Sequence, residues 1–136
     1  MRSGDAETVN RLVAAAKEMR EKAYAPYSRF NVGAALLAGG KIYRGANIEN
    51  ASYPLSVCAE RNAVAAAVLD GQRTIDAVAV VADEDRPTPP CGGCRQVLWE
   101  FGRSALVIAE TPGGTRTMWA LEDLLPDAFG PEDLLS

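Results

Sequence analysis

At 136 residues, with 48% hydrophobic and 24% charged side chains, the chain has the size and composition of an ordinary globular domain, able to bury roughly two-thirds of its unfolded surface. Its net charge of −4 and its lack of any Lys/Arg cluster argue against a nucleic-acid binder, which needs grouped cations to meet phosphates. No apolar run reaches the length of a membrane span and the N-terminus lacks the apolar core of a signal peptide, so one cytoplasmic domain over residues 1–136, with no membrane or nucleic-acid partner, is expected.

Val9, Leu12, Val13, Ala16 and Met19 recur at three- and four-residue spacing, which predicts a helix from residue 5 to about residue 23, with Asp5 as its cap and Pro26 beyond its end. Asn31 to Leu37 reads as a strand, Gly39-Gly40 as a two-residue turn, and Lys41 to about Ile48 as the returning strand of a hairpin. Asn47 to Pro54 is a polar, aromatic loop of the kind that carries function. A second, alanine-rich helix is expected from Ser56 or Val57 to Leu69, stopped by Asp70-Gly71. Ala77 to Ala82 is apolar throughout, as in a strand buried on both faces. After the stiff loop Arg86 to Pro90, a third helix should begin near Cys91 and end before Gly102. Ala105 to Ala109 reads as another buried strand, Arg116 to Ala120 as an edge strand, and Leu121 to Leu125 as a helical turn. This alternation predicts an α/β fold with one mixed sheet covered on both faces.

All three cysteines fall into two short motifs, Cys58-Ala59-Glu60 and Pro90-Cys91-Gly92-Gly93-Cys94, and the chain has no histidine. If the motifs converge, three thiolates can hold a zinc ion and leave its fourth position for water, with Glu60 placed to move that water's protons. A Cys-x-x-Cys pair also serves in redox proteins, in structural metal sites or as inert core. The redox reading leaves Cys58 and Glu60 unexplained. A structural zinc site usually takes four protein ligands, and only three soft ones are present here. Both motifs lie at first turns of predicted helices, where unpaired amides and the helix dipole favour thiolates. Three thiolates on one dication leave an excess negative charge, which Arg61 or Arg95 could offset by hydrogen-bonding sulfur. Glu60 taken alone would merely complement a helix dipole; beside a zinc-binding cysteine it becomes the expected proton shuttle.

The chain resembles the cytidine deaminase family in six motifs that follow one another along nearly its whole length. They are Tyr24-Ala25-Pro26-Tyr27-Ser28-Arg29-Phe30, Val32-Gly33-Ala34-Ala35-Leu36, Asn47-Ile48-Glu49-Asn50-Ala51-Ser52-Tyr53, Cys58-Ala59-Glu60-Arg61, Pro90-Cys91-Gly92-Gly93-Cys94-Arg95-Gln96 and Leu124-Leu125-Pro126-Asp127-Ala128-Phe129-Gly130. The resemblance implies a three-layer α/β/α fold with a five-stranded mixed sheet. It also implies hydrolytic deamination of cytidine and 2′-deoxycytidine to uridine and 2′-deoxyuridine with release of ammonia, a pyrimidine-salvage reaction. Cys58, Cys91 and Cys94 would bind one zinc per subunit, and Glu60 would take the proton of water, protonate N3 and deliver a proton to the departing amine. Asn47 and Glu49 would bond the ribose 3′-hydroxyl, the carboxylate repelling a 5′-phosphate; Phe30 would stack near the base and Ala59 would offer backbone contacts. Ala51, Tyr53 and Phe129 complete the substrate-binding set that the resemblance implies. The all-cysteine ligand set is similar to that of the short, homotetrameric branch, whose sites are completed by neighbouring subunits, here through Tyr27, Tyr53 or Phe129. Ala46 replaces a cysteine often found there, and Gly93 stands where alanine is common. A deaminase acting on an aminoglycosyl-nucleoside antibiotic is the nearest alternative, disfavoured by the Asn47 to Tyr53 run.

Overall fold

Gly39 and Gly40 both take positive φ, 57° and 76°, as a tight two-residue hairpin turn requires. They join β1 (Val32–Ala38) to β2 (Lys41–Ala46) in antiparallel register from Ala38↔Lys41 to Gly33↔Ala46. In the computed structural model, which describes residues 1–135, three further strands extend this hairpin: β3 (Ala77–Ala82), β4 (Leu106–Glu110) and β5 (Arg116–Ala120). The sheet order is β2-β1-β3-β4-β5, with β3 and β4 parallel and the other neighbours antiparallel. A parallel pair needs a crossover, and α3 (Gly92–Trp99) lies on it. All six residues of β3 are buried, as its unbroken apolar run predicts, and β5 is an edge.

Successive side chains of a strand point to opposite faces, so the central strands feed two separate cores. Ala35, Leu37, Ala79, Val81 and Ile108 meet Val9, Leu12, Val13 and Ala16 of α1 (Ala6–Arg20) on one face. Leu36, Val78, Val80 and Val107 meet Ala63, Val64 and Ala67 of α2 (Ala59–Leu69) and Leu98 of α3 on the other. Each large aliphatic side chain so buried contributes about 1.5–3 kcal/mol. The result is the expected three-layer α/β/α fold on a five-stranded mixed sheet. Two short helices follow β5, α4 (Leu121–Leu124) and α5 (Glu132–Leu135). No helix among the described residues is long and apolar enough to cross a membrane.

Three element boundaries differ from expectation, and one small ladder accounts for them all. The first helix stops at Arg20, the returning strand at Ala46, and the second helix starts only at Ala59. Ile48 bridges Tyr24 on one side and Val57 on the other. Tyr24 N donates to Asn47 O (2.9 Å), Ile48 N to Val57 O (3.0 Å), and Val57 N back to Ile48 O (2.9 Å). These non-local bonds hold three segments in extended backbone, overriding the local helix preference of residues 21–23 and 56–57. Asp5 does occupy the N-cap of α1, but its carboxylate makes no capping bond.

Candidate active site

Cys58 and Cys91 are the N-cap residues of α2 and α3, and Cys94 is the third residue of α3. Each cap carbonyl accepts the first helical bond, Asn62 N to Cys58 O at 3.1 Å and Arg95 N to Cys91 O at 2.9 Å. Both cysteine motifs are thus fixed to helix starts whose remaining amides favour anions. The geometry brings all three together: their sulfurs lie within 4.8 Å of one another, with Cys58 half-buried, Cys91 exposed and Cys94 buried. Tetrahedral zinc with Zn–S bonds of about 2.3 Å separates its sulfurs by about 3.8 Å, a spacing that sulfurs gathered within 4.8 Å of one another suit. Three soft ligands leave the fourth position open, the arrangement of a catalytic rather than a structural zinc site.

The three thiols do not share their protons equally. The Cys94 S–H and then the Arg61 guanidinium bond the Cys58 sulfur and bring that thiol down to about 5, against the opposing effect of its burial. Cys94, as the partner that keeps its proton for Cys58, is pushed well above the usual thiol range. A dication at the centre removes this conflict and lets every sulfur ionise. Arg61 Nη2 lies 3.5 Å from Cys58 Sγ, in position to offset the excess thiolate charge. Glu60 is 5% exposed, and burial pushes its carboxyl up to about 7, the nearby Cys58 thiolate adding to the rise. Arg95, the other candidate donor to sulfur, points elsewhere: its Nε donates to Pro90 O at 2.7 Å and its Nη1 to Leu124 O at 2.8 Å. It braces the loop that delivers Cys91 rather than the sulfurs.

A cavity of about 620 Å³ opens beside the cysteines, within the range of small-molecule sites. Phe30, Asn47, Glu49, Tyr53, Ala59 and Glu60 all line it. Asn47 Oδ1 accepts from Val32 N and its Nδ2 donates to Phe30 O, both at 2.8 Å, so this side chain splints the segment that carries Phe30. Glu49 Oε1 accepts from Tyr27 N (3.0 Å) and Ser28 N (3.1 Å), while Oε2 accepts from the Ser28 hydroxyl. The Ser28 hydroxyl above all, with the two amides and Tyr53 assisting against burial, holds the Glu49 carboxyl below its ordinary value. Ala51 and Phe129 stand apart: both are exposed, neither is on the cavity wall, and Phe129 offers its carbonyl to Gln96 Nε2 at 2.8 Å. Reading the sequence alone overlooks Ser28 as the anchor of Glu49 and Val57 and Pro89 as cavity wall. Ser28 sits in a motif with Phe30, a signal that could have found it; the two wall residues carry no chemistry to mark them.

Residues 6–110 match the family described as "Cytidine and deoxycytidylate deaminase zinc-binding region". A cytidine deaminase of Sporosarcina psychrophila is 50% identical over 128 residues, 93% of this chain and 94% of that protein. The crystal structure of cytidine deaminase from Burkholderia pseudomallei superposes with a TM-score of 0.85 at 48% identity, covering 88% of this chain and 98% of that one. That of cytidine deaminase from Mycobacterium tuberculosis gives 0.77 at 43% identity, covering 90% and 97%. Since the matched stretch takes in the cavity wall from Ser28 to Cys91, and Cys94 beyond it, the chain belongs to the cytidine and deoxycytidylate deaminase family.

Proposed function

We propose that this chain hydrolyses cytidine and 2′-deoxycytidine to uridine and 2′-deoxyuridine, releasing ammonia, as one catalytic domain over residues 1–136. The observation that carries the reading is the meeting of the Cys58, Cys91 and Cys94 sulfurs at one end of a nucleoside-sized cavity whose wall includes Glu60. Cys58, Cys91 and Cys94 would hold one zinc, which when bound supplies the Lewis acidity that makes water a competent nucleophile near neutral pH. Glu60 takes one proton from the attacking water and passes it to N3 of the pyrimidine, then takes the second from the hydroxyl now on C4 and gives it to the amine as the C4–N bond breaks. The oxygen of water stays on C4 and the nitrogen leaves as ammonia, which balances the reaction. Arg61 steadies the Cys58 thiolate.

Phe30 and the Ala59 backbone face the base, and Asn47 and Glu49 the sugar. Asn47 retains one amide hydrogen, and Glu49 a lone pair on Oε2, beyond the bonds each makes within the chain. An anionic Glu49 accepts from a 3′-hydroxyl and repels a 5′-phosphate, which supports a nucleoside over a nucleotide. Tyr27, Tyr53 and Phe129 are each more than half exposed, an unusual extent of aromatic surface that supports a homotetramer with Tyr27, Tyr53 or Phe129 reaching a neighbouring subunit's site. Three free thiols suit a reducing, cytoplasmic setting.

The deciding experiment mixes purified chain with cytidine and follows the ultraviolet change on conversion to uridine. Turnover abolished by a strong chelator and restored by zinc is expected; absence of turnover by the zinc-loaded chain refutes the reading. Light scattering tests the assembly, and an active monomer rules out shared sites.

A further inference from the structure

The backbone of β2 touches the first turns of α2 without an intervening side chain. Gly45, paired with Ala34 in the sheet, lies under the helix start that carries Cys58 and Glu60. A Cβ at Gly45 would fall 2.4 Å from Ala59 O, 2.5 Å from Ala63 N and 3.1 Å from the carbonyl carbon of Asn62. All three are backbone atoms, and Ala59 O with Ala63 N are partners in one helical hydrogen bond. No rotamer change relieves such a contact; α2 itself has to retreat by half an ångström or more. From the same side, Asn62 Nδ2 donates to Ala46 O at 2.8 Å, tying α2 to β2 at this depth.

We infer that Gly45 is a positioning residue for the metal centre: its missing side chain sets how deeply α2 seats on the sheet, and thereby where the Cys58 sulfur meets those of Cys91 and Cys94. Those two ride on α3, which touches α2 but is also held by Leu98 in the core and by Arg95 on the Leu124 carbonyl of α4, so lifting α2 moves one ligand against the other two. Metal–ligand distances tolerate only about 0.2 Å, well below the displacement an added methyl forces. The argument rests on the zinc reading above.

Gly33 supplies a matched comparison on the opposite face. A Cβ there would lie 1.9 Å from Ala16 O and 2.3 Å from Arg20 N, again helix backbone, but of α1, which carries none of the three cysteines. Glycine-to-alanine changes at the two positions thus impose similar strain with different consequences for the site.

The test measures zinc affinity by chelator competition, and Tm, for the wild type, Gly45→Ala, Gly33→Ala and Asn62→Ala. Cobalt(II) spectra report the geometry of the metal site independently of turnover. Gly45→Ala is expected to weaken zinc binding about 10–100-fold and to shift the cobalt bands, the range found when groups behind metal ligands are altered. Gly33→Ala is expected to lower Tm while leaving affinity and cobalt spectrum at wild-type values. Wild-type affinity in Gly45→Ala, or an equal loss in Gly33→Ala, overturns the assignment. Should either glycine variant fail to fold, Asn62→Ala decides: a several-fold loss of affinity supports it, and unchanged affinity overturns it. A wild-type chain that binds no zinc removes the metal reading itself, an outcome distinct from a wild type that binds zinc and a Gly45→Ala variant that binds it equally well.

Discussion

Asp83 holds Asn31 twice, donating its amide to Asn31 O and accepting from Asn31 N on Oδ2, both at 3.1 Å. The other carboxylate oxygen meets Arg20 Nη1 at 2.5 Å, so α1 braces the Phe30–Val32 segment from behind while Asn47 secures it from the cavity side. Asp83→Ala should cost about 1–2 kcal/mol of stability and raise KM for cytidine by roughly three- to tenfold, through a looser Phe30. Metal content should not change. Steady-state kinetics with zinc analysis checks this; an unaltered KM removes Asp83 from the support of Phe30.

Glu60 and Cys58 are two residues apart yet should fail differently. Glu60→Gln keeps the cysteines and should retain zinc while kcat falls by at least about 10²-fold, the scale of general acid–base catalysis. Cys58→Ala takes away a sulfur and should release the metal. Metal analysis beside single-turnover rates separates the two; near-normal turnover by Glu60→Gln dismisses the proton shuttle, and stoichiometric zinc in Cys58→Ala dismisses that ligand.

Glu110 ends β4 beside Val81 of β3, on the α1 face of the sheet, 5% exposed, with Lys17 Nζ at 2.8 Å and Arg116 Nε at 2.6 Å. Burial works to raise its carboxyl, but the two cations outweigh it and hold the group below its ordinary value. The folded chain thus binds this proton less readily than the unfolded chain. The stability it contributes is complete above the unfolded value of about 4.3 and drains away as pH falls through the lower folded one. Glu110→Gln should lose about 1–3 kcal/mol at neutral pH and show a shallower decline of Tm between about pH 5 and pH 3 than the wild type. Parallel pH–Tm curves for the two proteins would contradict this.

Gly93 lies between two of the cysteines, yet a Cβ there meets no atom within 4 Å and its φ is not positive. Gly93→Ala should therefore stabilise the chain by about 0.4–1 kcal/mol, by restricting the unfolded state, with turnover unchanged. Thermal melts of the two proteins check it; destabilisation would mean that α3 has less room at its start than its open surroundings indicate.

Much of this molecule could be read in its residue pattern because the relevant forces are local. Gly39-Gly40 dictates a hairpin by backbone freedom alone, and the apolar run of β3 announces burial on both faces. The cysteine spacing places Cys91 and Cys94 on one turn of α3, and the Cys-Ala-Glu motif identifies their distant partner. What the pattern conceals is where non-local bonds win. Residues around Tyr24 and Val57 have no local reason to be extended until Ile48 pairs with both. Arg95, beside a cysteine in sequence, spends its guanidinium on the carbonyls of Pro90 and Leu124 because the loop and α4 lie on that side of α3. Asn47 and Glu49 look like free sugar-binding groups in the sequence, but folding first engages them with Phe30, Val32, Tyr27 and Ser28.

The two bonds that Asn47 makes within the chain, beside the sugar contact proposed for it, constrain how the pocket could acquire a new sugar preference. Any substitute must still present an acceptor to Val32 N and a donor to Phe30 O from a short side chain. Aspartate supplies only the first, and serine is too short to span both. Diversification of the pocket is therefore channelled toward wall positions with no such obligation, Val57 and Pro54 among them.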